Sequence, residues 1–401
     1  MPDTEIKYIE NNIQLGILID WNLIIKAYKE LKCPDDVYDP TQVVKELDHN
    51  NCKWYIGMSQ RKTGKTTNFL LYGMLLFWYY GIHTIYIRQR DESIAPKHSI
   101  KLFDTIIAFD YISKITGGIY NHIKYYSKSW YFCKRNENGE IIDECLNPFC
   151  TMLSIQSADD IKSVFNDPVA DWIIYDEFIS SVLYPNEFVD FINMISTIKR
   201  LRRSTSIILL ANIIDMYHPY FSELCIADQA QKMKKGERAL ITTDLGTKVL
   251  VERIEQPEKA KAQNEIDKLL YYGFPNPKLA AVTGDEWAEF HFQHIPEGNY
   301  EIITSRLYIK YSNKYARLDI VHHEKLGLCI YAHFATHIYD DSMILTVDDR
   351  TDPRYLYKFG NGRIDKLLHN LFNSNRVYYA KNDVGMFILS YTNYIRKLKV
   401  Y

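Results

Sequence analysis

The chain has 401 residues, of which 47% are hydrophobic and 24% charged, and its formal net charge is −2. That length allows two or three domains with well-buried cores, and the composition is that of an ordinary globular protein. So small a net charge excludes a global basic field, so any contact with nucleic acid must come from local patches.

Residues 1–36 hold an amphipathic helical stretch, "WNLIIKAYKELK", that stops at the breaker "CPDD". They read as an N-terminal extension. The first domain is expected over 37–228. It opens on a short apolar strand, "CKWYIGM", which feeds into the loop "SQRKTGKTTNF". The run from 68 to 87, "NFLLYGMLLFWYYGIHTIYI", is uncharged and long enough to cross a bilayer. Gly81 and His83 interrupt it, and it divides into a buried helix ending near Tyr80 and a strand "HTIYI". No membrane span is expected. Strand, helix and strand make a β-α-β unit, which implies parallel pairing.

Cys133, Cys145 and Cys150 lie close enough to raise a zinc site, but the ligand pairs of structural zinc are missing. The intervening "KRNENGEIIDE", with its Asn-Gly turn signal, reads as a β-hairpin. None of the seven cysteines forms a C-x-x-C pair, which fits reduced thiols in a cytoplasm. "DWIIYDEF" (171–178) is a buried strand ending in two acids. "EFVDFINMISTIKRLRR" is a helix with a basic end, and "SIILLANI" is a third buried strand. Alternation of this kind predicts a layered α/β domain. Residues 229–288 are charged and read as a linker or small helical subdomain. From 289 to 401, four strand patterns precede a helical C-terminus.

The loop nearly spells the phosphate-binding motif G-x-x-x-x-G-K-[ST], with Ser59 where the first glycine belongs. Such a loop works by backbone N–H groups curling around phosphate at a helix N-terminus. The expected nucleotide contacts run through Ser59, Gln60, Arg61, Lys62, Thr63, Gly64, Lys65, Thr66 and Thr67. Lys65 would neutralise phosphate oxygens of ATP, and Thr66 would give its hydroxyl to Mg²⁺. "WIIYDE" supplies the second element: Asp176 for the metal and Glu177 as the base that polarises the attacking water. Asn212, ending "IILLAN", is placed to sense the γ-phosphate. "KRLRR" offers Arg200 and Arg202 as an arginine finger, with Lys199 and Arg203 nearby.

These residues resemble the genome-packaging (encapsidation) ATPases of small short-tailed bacteriophages, the phi-twenty-nine-like group, which are related to large terminase ATPases. The resemblance starts near Tyr38. It rests on Arg61 four residues before Lys65, a "DEFI" box at Asp176 to Ile179, "PNE" at Pro185 to Glu187, and "PYF" at Pro219 to Phe221 after Asn212. It implies a P-loop NTPase domain of the ASCE type with a mostly parallel sheet and a C-terminal RNase H-like domain that has lost its nuclease acids. It further implies a homo-oligomeric ring of five subunits on the portal of an empty procapsid, in the host cytoplasm. Each subunit would hydrolyse ATP, with Arg61 as an added site residue and Arg200 reaching the neighbour, and would pass double-stranded DNA inward. The need for a packaging RNA stays open.

Candidate DNA contacts are Arg88, Arg90, Lys97, Lys101, Lys162 and the cluster Lys232, Lys234 and Lys235. The C-terminal region offers Asp319, Glu324, His333, His337, Asp340, Asp348 and Asp349 as nuclease ligands, and a non-catalytic domain is favoured. The alternatives are a terminase with active nuclease, a helicase, or a scaffold that binds ATP without turning it over. Glu177 argues against the scaffold, which has no use for a base.

Overall fold

Six parallel strands stand at the centre of the chain's larger sheet, flanked by antiparallel strands at both edges. The structure is a computed structural model and describes residues 18–34, 36–60, 63–158, 169–179, 186–200, 204–212, 217–272, 292–347, 351–356 and 362–397. In chain order its first elements are α1 (Trp21–Glu30), α2 (Thr41–His49), β1 (Trp54–Ser59), α3 (Lys65–Tyr80) and β2 (His83–Arg88). Short helices α4 (Pro96–Ser99), α5 (Asp104–Ala108) and α6 (Tyr111–Thr116) follow, then β3 (His122–Tyr126), β4 (Ser129–Arg135), β5 (Ile141–Glu144) and β6 (Cys150–Ser154). Next come β7 (Ala170–Asp176), α7 (Glu187–Lys199), β8 (Ser206–Asn212), α8 (Pro219–Glu223), α9 (Ala227–Lys232), β9 (Arg238–Thr242) and β10 (Lys248–Arg253).

The sheet order is β3-β4-β6-β2-β7-β8-β1-β10-β9, with β5 on β4. β8 therefore lies between the loop-bearing strand β1 and the acidic strand β7, and all three run parallel. Residues along β7 and β8 alternate between two cores, as the pleat requires. Trp172, Ile174, Ile208 and Leu210 face α1, α2 and α3, whereas Ile173, Tyr175, Ile207 and Leu209 face α7 and α8. With both faces covered, these strands are apolar through their middles, which is why they read as hydrophobic runs.

The 68–87 run resolves as expected. α3 ends where Gly81 N–H bonds the Phe77 carbonyl at 2.8 Å, and β2 follows from His83. At Gly73 a Cβ would stand 2.3 Å from Thr84 Oγ1 and 3.1 Å from Trp172 Cδ1, so only glycine lets the helix lie this close to the sheet. Among the described residues no helix is long and apolar enough to cross a membrane. "KRNENGEIIDE" forms the antiparallel turn between β4 and β5.

Two expected boundaries move. α1 does not stand apart as an extension: Ile24, Ile25 and Tyr28 are buried in the first core, and Tyr28 lies 4.5 Å from the Tyr72 ring. Burying each such side chain stabilises by about 1.5–3 kcal/mol, and the amphipathic stripe of α1 is that contact surface. The second boundary, at 228, cuts through the sheet, because β10 pairs in parallel with β1 and β9 closes a hairpin on β10. Charged ends on both short strands had masked them as linker. α10 (Glu258–Asp267) keeps the expected helical character.

The C-terminal sheet contains β11 (Tyr300–Tyr311), β12 (Lys314–His323), β13 (Gly327–Phe334), β14 (Met343–Leu345), β15 (Tyr355–Leu356) and β16 (Val377–Tyr379). Its order is β15-β14-β11-β12-β13-β16, an antiparallel meander extended by parallel strands on both sides. α11 (Arg363–Asn373) and α12 (Asn382–Lys397) supply Leu368, Leu371, Phe387 and Ile388 to its core. Tyr217 joins that same core, and Lys314 Nζ bonds Gln231 Oε1 at 2.7 Å, so α8 and α9 are where the two sheets meet.

Candidate active site

The residues of the expected phosphate loop follow the C-terminal end of β1, beside the ends of its parallel neighbours. Ser59 ends β1 fully buried, with an ordinary negative φ, so its position does not demand glycine. Its hydroxyl donates to the Gln60 carbonyl at 2.7 Å and meets Thr63 Oγ1 at 3.1 Å, closing the base of the loop. Gly64 is the residue that must be glycine: φ is +78°, and a Cβ would sit 3.0 Å from Val37 Cβ. It caps the N-terminus of α3, whose free N–H groups and dipole favour an anion. Tyr38 N–H bonds the Thr63 carbonyl at 2.8 Å, and Asn68 Nδ2 bonds the carbonyls of Tyr38 (2.8 Å) and Gly64 (3.0 Å). The segment after α1 thereby braces the loop.

The other expected residues converge on it. Lys65 Nζ donates to Asn212 Oδ1 at 2.8 Å across the β1–β8 pair. Thr66 Oγ1 donates to Asp176 Oδ1 at 3.2 Å. A hydroxyl and a carboxylate are hard oxygen donors of the kind Mg²⁺ takes, together with substrate phosphate, so this pair fits that ion. Glu177 is half exposed and sits at φ +56°, a left-handed conformation that costs a non-glycine residue on the order of 1–3 kcal/mol. Its N–H donates to Asp176 Oδ1 at 3.1 Å. Thr67 is half-buried on the first turn of α3. Arg61, Lys62, Lys162, Pro185, Arg202, Arg203, Asp348 and Asp349 lie outside the described residues.

Two side chains at the site were not anticipated in that role. Tyr86 OH donates to Asp176 Oδ2 at 2.6 Å. Arg88 Nη1 reaches the same oxygen at 3.2 Å, and its Nη2 meets Glu177 Oε2 at 2.5 Å. Arg88, expected on a DNA-facing surface, instead binds the two acids. Its strand neighbours β7, and its side chain lies where the carboxylates need compensation. Burial pulls the Arg88 pKa down, but Tyr86, Asp176 and Glu177 outweigh it and hold the guanidinium above its ordinary value. Burial, then the Asp176 charge, pushes the Tyr86 phenol well above the usual tyrosine range. The only advance signal was position: "IYIRQR" ends a strand of the same parallel sheet.

Arg200 does not join this cluster. It caps the C-terminus of α7 at φ +48°, after a 13-residue helix about 20 Å long that runs back from the acidic edge toward the start of β8. Lys97, Lys101, Lys232, Lys234 and Lys235 are exposed and Arg90 is half-buried. In the C-terminal sheet Asp319 is buried and pairs with Arg317 at 2.9 Å and His333 at 3.0 Å. Among the described residues no three His, Cys, Asp or Glu side chains group to hold a metal ion.

No protein-family model and no curated protein matches the chain. Solved structures do match. The Phi-28 gp11 DNA packaging motor gives a TM-score of 0.52 at 17% identity, over 92% of this chain and 100% of that one. The bacteriophage Phi-29 viral genome packaging motor assembly gives 0.55 at 16% identity, over 90% of this chain and 100% of that one. At such identities the likeness is one of fold, and over nine-tenths of its length this chain has the fold of phage DNA-packaging motor proteins.

Proposed function

We propose that the chain is an ATP-hydrolysing motor subunit that drives double-stranded DNA into a preformed phage capsid. The observation that carries this reading is the meeting of Lys65, Thr66, Asp176 and Asn212 at one sheet edge, with Glu177 beside them. A nucleotide-binding scaffold needs the first four but not the fifth.

In this reading the α3 N-terminus and Lys65 bind the phosphates, and Asn212 holds Lys65 in line. Bound Mg²⁺ would supply charge neutralisation on the phosphate oxygens, held by Thr66 and Asp176. Glu177 accepts the proton of the attacking water on Oε1 while Arg88 holds its Oε2. Arg200, at the opposite end of α7 from Glu187, suits a finger that serves the neighbouring subunit, which supports a ring assembly. The meander-plus-parallel strand order supports an RNase H-like C-terminal domain. Asp319, already balanced by Arg317 and His333, supports its being non-catalytic. Portal, DNA and a packaging RNA are the partners this reading brings with it.

The test is ATPase rate against protein concentration, with and without double-stranded DNA, for wild type, Glu177→Gln and Arg200→Ala. Motor action in a ring requires a rate per subunit that rises with concentration and with DNA. Each variant alone should be inactive, and a mixture of the two should regain activity at sites built from one subunit of each kind. No regain on mixing removes the finger in trans, and full activity of Glu177→Gln removes the base.

A further inference from the structure

Glu187 is a carboxylate that no step above uses. It opens α7, is 2% exposed, and points into the sheet from the side opposite the phosphate loop's helix. Gln89 Nε2 donates to its Oε2 at 2.7 Å, and the hydroxyls of Tyr175 and Tyr220 donate to its Oε1 at 3.1 and 3.2 Å. Gln89 and Tyr175 are the chain neighbours of Arg88 and Asp176. The backbone ladder between β2 and β7 ends at Ile87 and Tyr175, one residue short of both. Beyond that point the two strand ends are joined to each other by side chains: Arg88 to Asp176 on one side, Gln89 through Glu187 to Tyr175 on the other.

We infer that Glu187 is a positioning residue for the hydrolytic acids, fixing the relative advance of the β2 and β7 ends so that one guanidinium spans Asp176 and Glu177. The inference rests on those acids performing hydrolysis. A buried acceptor with donors from two strands and a helix is the usual means of holding catalytic groups to a fraction of an ångström. A carboxylate is costly to bury, and packing alone is met more cheaply by an apolar side chain.

Three variants test this: Glu187→Leu, Glu187→Gln and Glu187→Leu in an Arg88→Ala background. In Glu187→Gln the Gln89 amide can turn over and keep the bonds to Gln89, Tyr175 and Tyr220, so kcat should stay within about twofold of wild type. Glu187→Leu should lower kcat by about 10- to 100-fold with little change in KM, the effect of a small misplacement of catalytic groups. In the Arg88→Ala background the same change should add less than about twofold, since both act through one arrangement. Backbone amide exchange in nucleotide-free protein should quicken at 88–91 and 175–178 in Glu187→Leu and stay unchanged at 54–58 and 206–211. Losses that multiply across the two backgrounds, or exchange that quickens throughout the sheet, would assign Glu187 a general packing role and overturn the inference. The exchange comparison needs no ATP, so a wild-type chain without ATPase activity would remove the motor reading and leave this result to be judged by itself.

Discussion

Arg88 and Glu177 meet at 2.5 Å between the ends of two adjacent strands, while the other nitrogen of the same guanidinium reaches Asp176 at 3.2 Å. A planar guanidinium offers two separate nitrogens in a fixed fork to the two carboxylates, a geometry that a single-centred ammonium does not reproduce. Arg88→Lys is therefore expected to behave like Arg88→Ala, each lowering kcat by on the order of 10- to 100-fold. Steady-state ATPase measurements decide it. Wild-type rates in Arg88→Lys would mean that a point charge suffices and the fork is unused.

The two acids should separate cleanly. Glu177→Gln keeps size and hydrogen bonding but cannot take a proton, so kcat should fall by about 10²- to 10⁴-fold with nucleotide affinity retained. Asp176→Asn should instead weaken Mg²⁺-dependent nucleotide binding, because it removes a charged oxygen donor next to Thr66. Binding of a fluorescent ATP analogue, titrated with and without Mg²⁺, distinguishes them.

His218 links pH to stability. Its ring is buried, neither nitrogen has a hydrogen-bond partner among the described residues, and it packs against Tyr220 at 5.4 Å and edge-on to Phe178 at 6.4 Å. Burial pushes its pKa from 6.5 down to about 3. The folded state thus keeps the ring neutral over a range where the unfolded chain takes up a proton. This contribution is fully present above pH 6.5 and is lost as pH falls toward 3, by about 1.4 kcal/mol per pH unit. Urea unfolding at pH 7, 6, 5 and 4 should show a shallower decline for His218→Phe than for wild type. Parallel declines would rule His218 out as a source of acid sensitivity.

Gly73 offers a test of packing alone. Gly73→Ala places a methyl against Thr84 Oγ1 and should cost about 1–3 kcal/mol by overpacking. Adding Thr84→Ala should restore part of that, with Trp172 Cδ1 at 3.1 Å setting the remainder. Thermal unfolding of the single and double variants measures both numbers.

The central strands were legible in the sequence because strands covered on both faces are apolar through their middles, as β1, β7 and β8 are. That Lys65, Thr66, Asp176 and Asn212 would meet could be expected because each stands at or just after the end of such a strand. Arg88 was not legible. Its partners lie 88 and 89 residues away, and nothing local distinguishes it from Arg90. The β9–β10 hairpin was hidden by charged strand ends, although Val249, Leu250 and Val251 are fully buried. α1 displayed its apolar stripe openly, but a stripe says that a helix is buried, not against which neighbour. "PNE" and "PYF", noted only as a resemblance, acquire a physical content once Glu187 and Tyr220 are seen to bond.

The tyrosine-rich composition has its own consequence. Asp176, Glu187 and Glu252 are buried acids, and each accepts from phenols: Tyr86, then Tyr175 and Tyr220, then Tyr38 and Tyr55. Burial first, and the neighbouring acid next or soon after, raises all five phenols well above the ordinary value. Up to pH 10 this changes nothing, since folded and unfolded chains alike hold the protons. Above it the unfolded chain releases protons that the folded one retains, and stability drains by up to about 1.4 kcal/mol per pH unit for each phenol. The hydroxyls that help this domain keep three acids inside thus make its stability fall with alkali.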